Sequence, residues 1–204
     1  MTSEHHDILT GCRALICDWD GTLADTTARN HRSLCAALAP HGVTVSDQWY
    51  RQHRGLPIRD LIALLPAPAP LPIEEIVATS RATLLTSTTP NSLAPIPAVV
   101  DLVRRSRAIE RPCAVASGAA AALVTAGLDA LGLRDLFQAV VTCEDVQHGK
   151  PAPDTFLTAA HRLGVAPEQC LVVEDAPDGV TAAHRAGMPV LLVDDGHLTL
   201  QPPS

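Results

Sequence analysis

Asp18 and Asp20 stand one residue apart at the end of the apolar run Ala14-Leu15-Ile16-Cys17, and Gly21 and Thr22 follow them directly. Residues i and i+2 leave a strand on the same side, so the two carboxylates start out together at the strand's carboxyl end. Two unit charges about 4 Å apart repel by roughly 4 kcal/mol at an effective dielectric near 20. A cation, a shared proton or both must hold them there. Gly21 lets the chain turn sharply away from the sheet edge. Taken alone, the stretch also fits a solvated Asp-Gly turn after a buried strand.

Three further groups follow the same pattern. Ser117-Gly118 ends the apolar run Cys113 to Ala116, and Glu174-Asp175 ends Cys170 to Val173. Lys150 is the single lysine of the chain, the other fourteen Lys/Arg side chains being arginine. An ammonium is a compact point charge and a guanidinium a planar fork, so the two are not interchangeable at a tight site. Two acidic pairs call for a hard cation, and Mg2+ takes one or two carboxylates together with phosphate and water oxygens. A serine hydroxyl, the backbone N–H groups after it and a lysine suit a bound phosphoryl group. The set has the chemistry of phosphoryl-transfer machinery.

Alternating elements must bring these groups together. Five short apolar strands end at Cys17, Ala116, Thr142, Val173 and Val193, with helices between them from Pro97 onward. That pattern predicts a parallel sheet covered on both faces, and ligands of such sheets bind beyond the strands' carboxyl ends. The segment 26–93 reads differently. It holds helices over about 28–38, a short stretch from Asp47, one around Leu61 to Leu65 and one over 74–85, with Pro-rich connectors at 66–72 and 86–97. Asp25, Thr26 and Thr27 offer N-cap side chains for the first of these helices. The expectation is an α/β, Rossmann-like five-stranded core of 1–25 and 94–204 with a helical insertion of 26–93.

Composition narrows the function. The chain has 204 residues, 47% hydrophobic and 2% aromatic, so its core is aliphatic. A net charge of −7 without a basic run argues against nucleic acid as a partner. No apolar run approaches the roughly 18 residues of a membrane span, and the polar start of the chain is unlike a signal peptide. A cytoplasmic location is expected. The six cysteines form no C-x-x-C pair, which offers neither a zinc site nor a redox dithiol.

The residues also carry a family resemblance. Asp18-Trp19-Asp20-Gly21-Thr22-Leu23, Ala116-Ser117-Gly118, Gly149-Lys150-Pro151-Ala152-Pro153-Asp154 and Val173-Glu174-Asp175-Ala176-Pro177-Asp178-Gly179-Val180 resemble, in order and spacing, motifs I to IV of the haloacid dehalogenase-like superfamily. The segment from about Leu131 to Met188 most resembles the sugar-phosphate phosphatases near beta-phosphoglucomutase, the fructose-1-phosphate and 6-phosphogluconate phosphatase type. The helical insertion resembles the family's small cap domain.

The resemblance implies a phosphatase that acts on a small-molecule phosphate ester. Asp18 is then the nucleophile and Asp20 the general acid and base. Asp18, the Asp20 carbonyl, Asp175 and Glu174 hold Mg2+, and Thr22, Ser117, Gly118 and Lys150 bind phosphate. From the cap, His31, Trp49, Arg54 and Arg59 are the expected substrate contacts. A monomer is the default. A phosphosugar mutase stays open, although the family's mutase histidine aligns with Asn30 and the mutase cap lysine is missing. A catalytically silent partner module is a further alternative. Asp20 excludes dehalogenase chemistry by the same resemblance, and the lack of a cap lysine excludes Schiff-base phosphonatase chemistry. A calcium-loop reading fails because its twelfth position is Arg29, where a bidentate glutamate is required.

Overall fold

The computed structural model of the protein describes residues 11–201 apart from 54, 55, 68 and 195. Eight strands and eight α-helices are seen among them. In chain order they are β1 (Ala14–Cys17), β2 (Ala24–Asp25), α1 (Thr27–Leu38), α2 (Asp47–His53), α3 (Ile58–Ala63), α4 (Ile73–Thr86), β3 (Ala94–Pro95), α5 (Pro97–Ala108), β4 (Cys113–Ala116), α6 (Ala121–Ala130), β5 (Ala139–Val141), α7 (Asp154–Leu163), β6 (Cys170–Glu174), α8 (Pro177–Arg185), β7 (Val190–Asp194) and β8 (His197–Gln201).

The main sheet runs β5-β4-β1-β6-β7-β8, and its first five strands are parallel. β1 is central and every residue in it is buried. Alternation sends Leu15 and Cys17 into one core layer with Val99 and Val103 of α5 and Val124 and Leu128 of α6. Ala14 and Ile16 enter the other, with Phe156 and Ala159 of α7 and Ala182 and Ala183 of α8. A continuously apolar strand is the natural occupant of a sheet covered on both sides. Burying each such Leu, Ile or Phe is worth about 1.5–3 kcal/mol.

Beyond the five expected strands, β8 pairs antiparallel with β7 along the edge. Its sequence, His197-Leu198-Thr199-Leu200-Gln201, alternates polar and apolar residues, and Leu198 and Leu200 pack on the first core layer. That period-2 pattern is the signature of an edge strand with one buried face. The short ribbon of β2 with β3 was also not foreseen. It sets Asp25 opposite Ala94, so the chain enters and leaves the helical insertion at adjacent points.

The insertion has its own apolar cluster, including Leu34 and Leu38 of α1, Leu61 and Ile62 of α3, and Ile76 and Val77 of α4. Among the described residues no helix is long and apolar enough to cross a membrane.

Candidate active site

Register brings the chemistry to one edge. Cys17 pairs with Val173 and with Val115, so the residues after them emerge side by side. Asp18 continues the ladder by donating its N–H to the Val173 carbonyl at 2.9 Å. Lys150 arrives on the loop after β5. Its Nζ donates to Asp18 Oδ1 at 2.6 Å and to Glu174 Oε1 at 2.7 Å. The ammonium also lies 4.8 Å from the centroid of the Phe156 ring. All four of Asp18, Lys150, Glu174 and Asp175 are buried.

Glu174 is fully engaged. Its Oε2 accepts the N–H of Asp175 at 2.5 Å and of Ala176 at 2.8 Å, while Oε1 takes Lys150. One carboxylate oxygen each of Asp18, Glu174 and Asp175 lies within 4.8 Å of the others. Lys150 thus bonds two of the three clustered carboxylates directly. Burial pushes Asp18 well above the ordinary carboxylate range; Lys150 pulls it down, and Glu174 and Asp175 add to the rise. Burial would lower Lys150, but Asp18 and Glu174 outweigh it and hold the amine above its ordinary value. An oxygen-only set of clustered carboxylates fits a hard divalent cation, so these residues could hold one.

Gly21 has φ +82°, in the left-handed region, and a Cβ on it would fall 2.4 Å from Asp175 Oδ2. The turn after Asp20 therefore needs glycine both for its backbone and for the carboxylate packed against it. Trp19, between the two aspartates, is buried against Gly127 of α6, where a Cβ would lie 2.2 Å from the indole.

Asp20 is held from the insertion side. Its Oδ1 accepts Thr26 Oγ1 at 2.6 Å and Asn30 Nδ2 at 2.9 Å. Thr26 occupies the N-cap position of α1 and makes no side-chain capping bond; its hydroxyl donates to Asp20. Thr26 and Asn30 are four residues apart and share one helix face. That i, i+4 polar pair was the available signal, and it went unused.

Ser117 is buried, and its Oγ accepts the Ala119 N–H at 3.0 Å, which leaves the hydroxyl proton to donate elsewhere. The Ala121 N–H at the start of α6 is taken by Glu144 Oε2 at 2.8 Å. These groups open on a cavity of about 400 Å³ whose wall includes Asp18, Asp20, Ser117, Gly118, Lys150, Glu174 and Asp175. Its far wall comes from the insertion and includes Arg29, Asn30, Tyr50, Arg59 and Arg81.

Several expected contacts are corrected. Thr22 is fully buried, is not part of the cavity wall, and donates its hydroxyl to Asp175 Oδ1 at 3.0 Å. It therefore steadies a carboxylate and does not face a phosphate. His31 lies one residue, about 100°, around the helix from Asn30. It turns into the insertion, meets the Val45 carbonyl at 2.8 Å and packs on Tyr50, outside the cavity wall. Trp49 stacks on His53 with ring centroids 4.0 Å apart and is likewise absent from the wall. Arg59 reaches the wall, but its guanidinium is forked onto Glu74, with Nε 2.7 Å from Oε1. Arg54 lies outside the described residues.

Comparison with known proteins agrees with this arrangement. Residues 15–193 match the family model for haloacid dehalogenase-like hydrolases. Fructose-1-phosphate phosphatase YqaB of Escherichia coli (strain K12) is 40% identical over 181 residues, which is 85% of this chain and 92% of that protein. Validoxylamine A 7'-phosphate phosphatase of Streptomyces hygroscopicus subsp. limoneus is 30% identical over 172 residues, covering 84% of this chain and 80% of its own. Among solved structures, CbbY from Rhodobacter sphaeroides in complex with phosphate is similar with a TM-score of 0.80 at 27% identity, covering 89% of this chain and 85% of that one. The match runs through all five parallel strands and the carboxylate cluster at their ends, and the chain belongs to the haloacid dehalogenase-like hydrolase family, as an enzyme of that fold.

Proposed function

We propose that this enzyme is a Mg2+-dependent phosphomonoesterase that hydrolyses a small sugar phosphate, or a related phosphorylated metabolite, through an aspartyl-phosphate on Asp18. The observation that carries this is the Lys150 ammonium, buried between Asp18 and Glu174 beneath a cavity that also presents Asp20, Ser117 and Gly118. In this reading residues 26–93 are a cap domain over a core of 1–25 and 94–204, and the substrate lies between them.

Asp18, Asp175 and the Asp20 carbonyl would hold the metal, with Glu174 fixing Lys150 and the following backbone from behind. When bound, Mg2+ lets an anionic nucleophile approach an anionic phosphate and offsets charge that develops on the phosphoryl oxygens. Asp18 attacks phosphorus in line, and the bond from phosphorus to the leaving oxygen breaks. Asp20 gives that oxygen a proton. Its Oδ1 is committed to Thr26 and Asn30, which leaves Oδ2 to carry the proton. Asp20 then takes a proton from the water that attacks the aspartyl-phosphate, freeing Asp18 and inorganic phosphate. Lys150, the Ser117 hydroxyl and the Gly118 N–H donate to the phosphoryl oxygens throughout.

Hydrolysis is favoured over a phosphosugar mutase by Asn30. Its amide reaches Asp20 but cannot relay a proton as a histidine would, and 26–93 contains no lysine. The test is phosphate release from a panel of sugar phosphates with Mg2+, with EDTA, and with Asp18→Asn. Release should require the metal and fall by about 10³-fold or more in the variant. Conversion of glucose 1-phosphate to glucose 6-phosphate without free phosphate would establish the mutase instead. Undiminished activity in Asp18→Asn would remove the aspartyl-phosphate.

A further inference from the structure

The insertion's side of the cavity carries three guanidiniums, and they are not equivalent. Arg59 is forked onto Glu74. Arg81 faces Glu144 at 4.0 Å. Arg29 has no carboxylate in hydrogen-bond contact among the described residues. Its Nη2 donates to the Leu84 carbonyl and to the hydroxyls of Ser87 and Thr88, which ties α1 to the end of α4. Its Nε is buried without an acceptor, and no acceptor is seen for Nη1 among the described residues. Asp20 lies close enough for its charge to act on Arg29.

Tyr50 stands on the same wall. It is the only tyrosine in a chain with two Trp and two Phe. Its ring packs on His31 at 5.1 Å between centroids, and His31 is itself pinned to the Val45 carbonyl. The Tyr50 side chain is half-buried and within reach of the Asp20 charge, and its hydroxyl has no hydrogen-bond partner among the described residues. Tyr50, with this unengaged hydroxyl, and Arg29, with its unengaged Nη1, line the same cavity as Asp20, the residue that would protonate the leaving oxygen.

We propose that Tyr50 and Arg29 form the subsite for the leaving group. The Tyr50 hydroxyl exchanges hydrogen bonds with a hydroxyl of an uncharged polyol, and the Nη1 group of Arg29 donates to another. The inference rests on the phosphomonoesterase reading. A second phosphate or a carboxylate on the leaving group suits this wall poorly. Arg59 and Arg81 already have counter-charges, and the charge of Asp20 already acts on the one guanidinium left. A polyol gives each group what it lacks: acceptor oxygens for Arg29, a donor and acceptor for the phenol, and C–H faces for the apolar lining of Leu34, Val77 and Leu84.

The test uses Tyr50→Phe, which removes one oxygen and keeps the ring on His31. With Mg2+, kcat and KM are measured on the best substrate of a panel of aldose, ketose and hexitol phosphates, on p-nitrophenyl phosphate, and on fructose 1,6-bisphosphate. The ratio of kcat/KM for the sugar monophosphate to that for p-nitrophenyl phosphate should fall about 3- to 10-fold, the loss of one neutral hydrogen bond, mainly through KM. Deoxy analogues of the sugar should include one that costs wild type this factor and leaves Tyr50→Phe insensitive. An equal loss on both substrates, or no loss on the sugar, overturns the subsite and leaves the phosphatase reading standing. So does a preference of wild type for the bisphosphate over the monophosphate of tenfold or more. If wild type releases no phosphate beyond the level of Asp18→Asn, the phosphatase reading falls and the subsite with it.

Discussion

Gly179, in the first turn of α8, leaves the room that the Glu174 carboxylate fills: a Cβ there would lie 1.6 Å from Glu174 Oε1. That oxygen is the one that accepts Lys150. Alanine is the better helix former by about 1 kcal/mol, so a solvent-exposed helical glycine would gain stability on replacement. Gly179→Ala should instead displace Glu174, loosen Lys150 and lower kcat/KM by about 10- to 100-fold, without a rise in Tm. Steady-state kinetics and a thermal melt check it. A stabilised variant with full activity would show that α8 shifts away at little cost.

Lys150 joins two buried carboxylates. Removing one partner of such a cluster typically costs about 3–5 kcal/mol, because the remaining charges stay buried and unpaired. Lys150→Met should therefore lose most activity and also lower Tm in metal-free buffer. Lys150→Arg keeps the charge but offers a planar fork where a point charge bridges Asp18 and Glu174 above the Phe156 ring. It should recover stability more than it recovers kcat. Equal recovery of both would make the position a simple counter-charge.

The sequence was most legible where structure is local. The apolar strands and the polar residues that follow them stand together in the chain, so the sheet edge with Asp18, Ser117, Lys150, Glu174 and Asp175 could be anticipated. Side-chain direction beyond a turn could not. Gly21 sends Thr22 inward to Asp175, and nothing in Gly-Thr alone distinguishes that from a hydroxyl facing a ligand. One helical step separates Asn30 at the cavity from His31 inside the insertion, and the family resemblance, which sets a histidine at the place of Asn30, does not resolve that step. The hydroxyl of Thr26 could accept from its own helix start and donate elsewhere, and only the fold supplies Asp20 as the acceptor. β8 is half-exposed, so its alternation is weaker than the unbroken apolar runs of the interior.

Asn30 and Thr26 donate to one oxygen of Asp20. General acid–base catalysis is worth about 10²–10⁴-fold, and it depends on a positioned side chain. Asn30→Ala frees Asp20 from α1 on one side and should lower kcat on a sugar phosphate by about tenfold while changing KM little. p-Nitrophenyl phosphate, whose leaving group needs no proton, should be affected less. A KM effect with constant kcat would mean that Asn30 meets the substrate and does not position Asp20.

Asp145 anchors the loop that carries Lys150. It accepts the N–H of Thr142 at 2.8 Å and its hydroxyl at 2.9 Å, and pairs with Arg162 of α7. Burial works against its charged form, but Arg162 and Thr142 outweigh it and hold the carboxyl below the ordinary range. A carboxyl lowered on folding contributes stability that is present above its unfolded value, about pH 4, and is lost as pH falls through the folded value. Asp145→Asn should thus cost about 1 kcal/mol at pH 7, the usual worth of such a cap, and much less at pH 3. Urea unfolding at both pH values measures the difference. An equal penalty at both would assign the effect to shape and not to charge.

Asp18, Glu174 and Asp175 bring three carboxylate oxygens within 4.8 Å of one another. A cation that binds only the folded chain stabilises it by mass action, about 2.7 kcal/mol at a hundred times its Kd. Adding Mg2+ to chelator-treated protein should raise Tm in a concentration-dependent way. Asp175→Asn should weaken that response at least tenfold in Mg2+ concentration, because it removes the charge of one of the three clustered carboxylates. Thr22→Val should weaken it less, since it removes only the hydroxyl that steadies Asp175 at 3.0 Å. The melt reads binding without turnover, so it separates a metal site from a catalytic defect. A Tm indifferent to Mg2+ would mean that the cluster holds no ion, and a shift that survives Asp175→Asn would place the ion elsewhere.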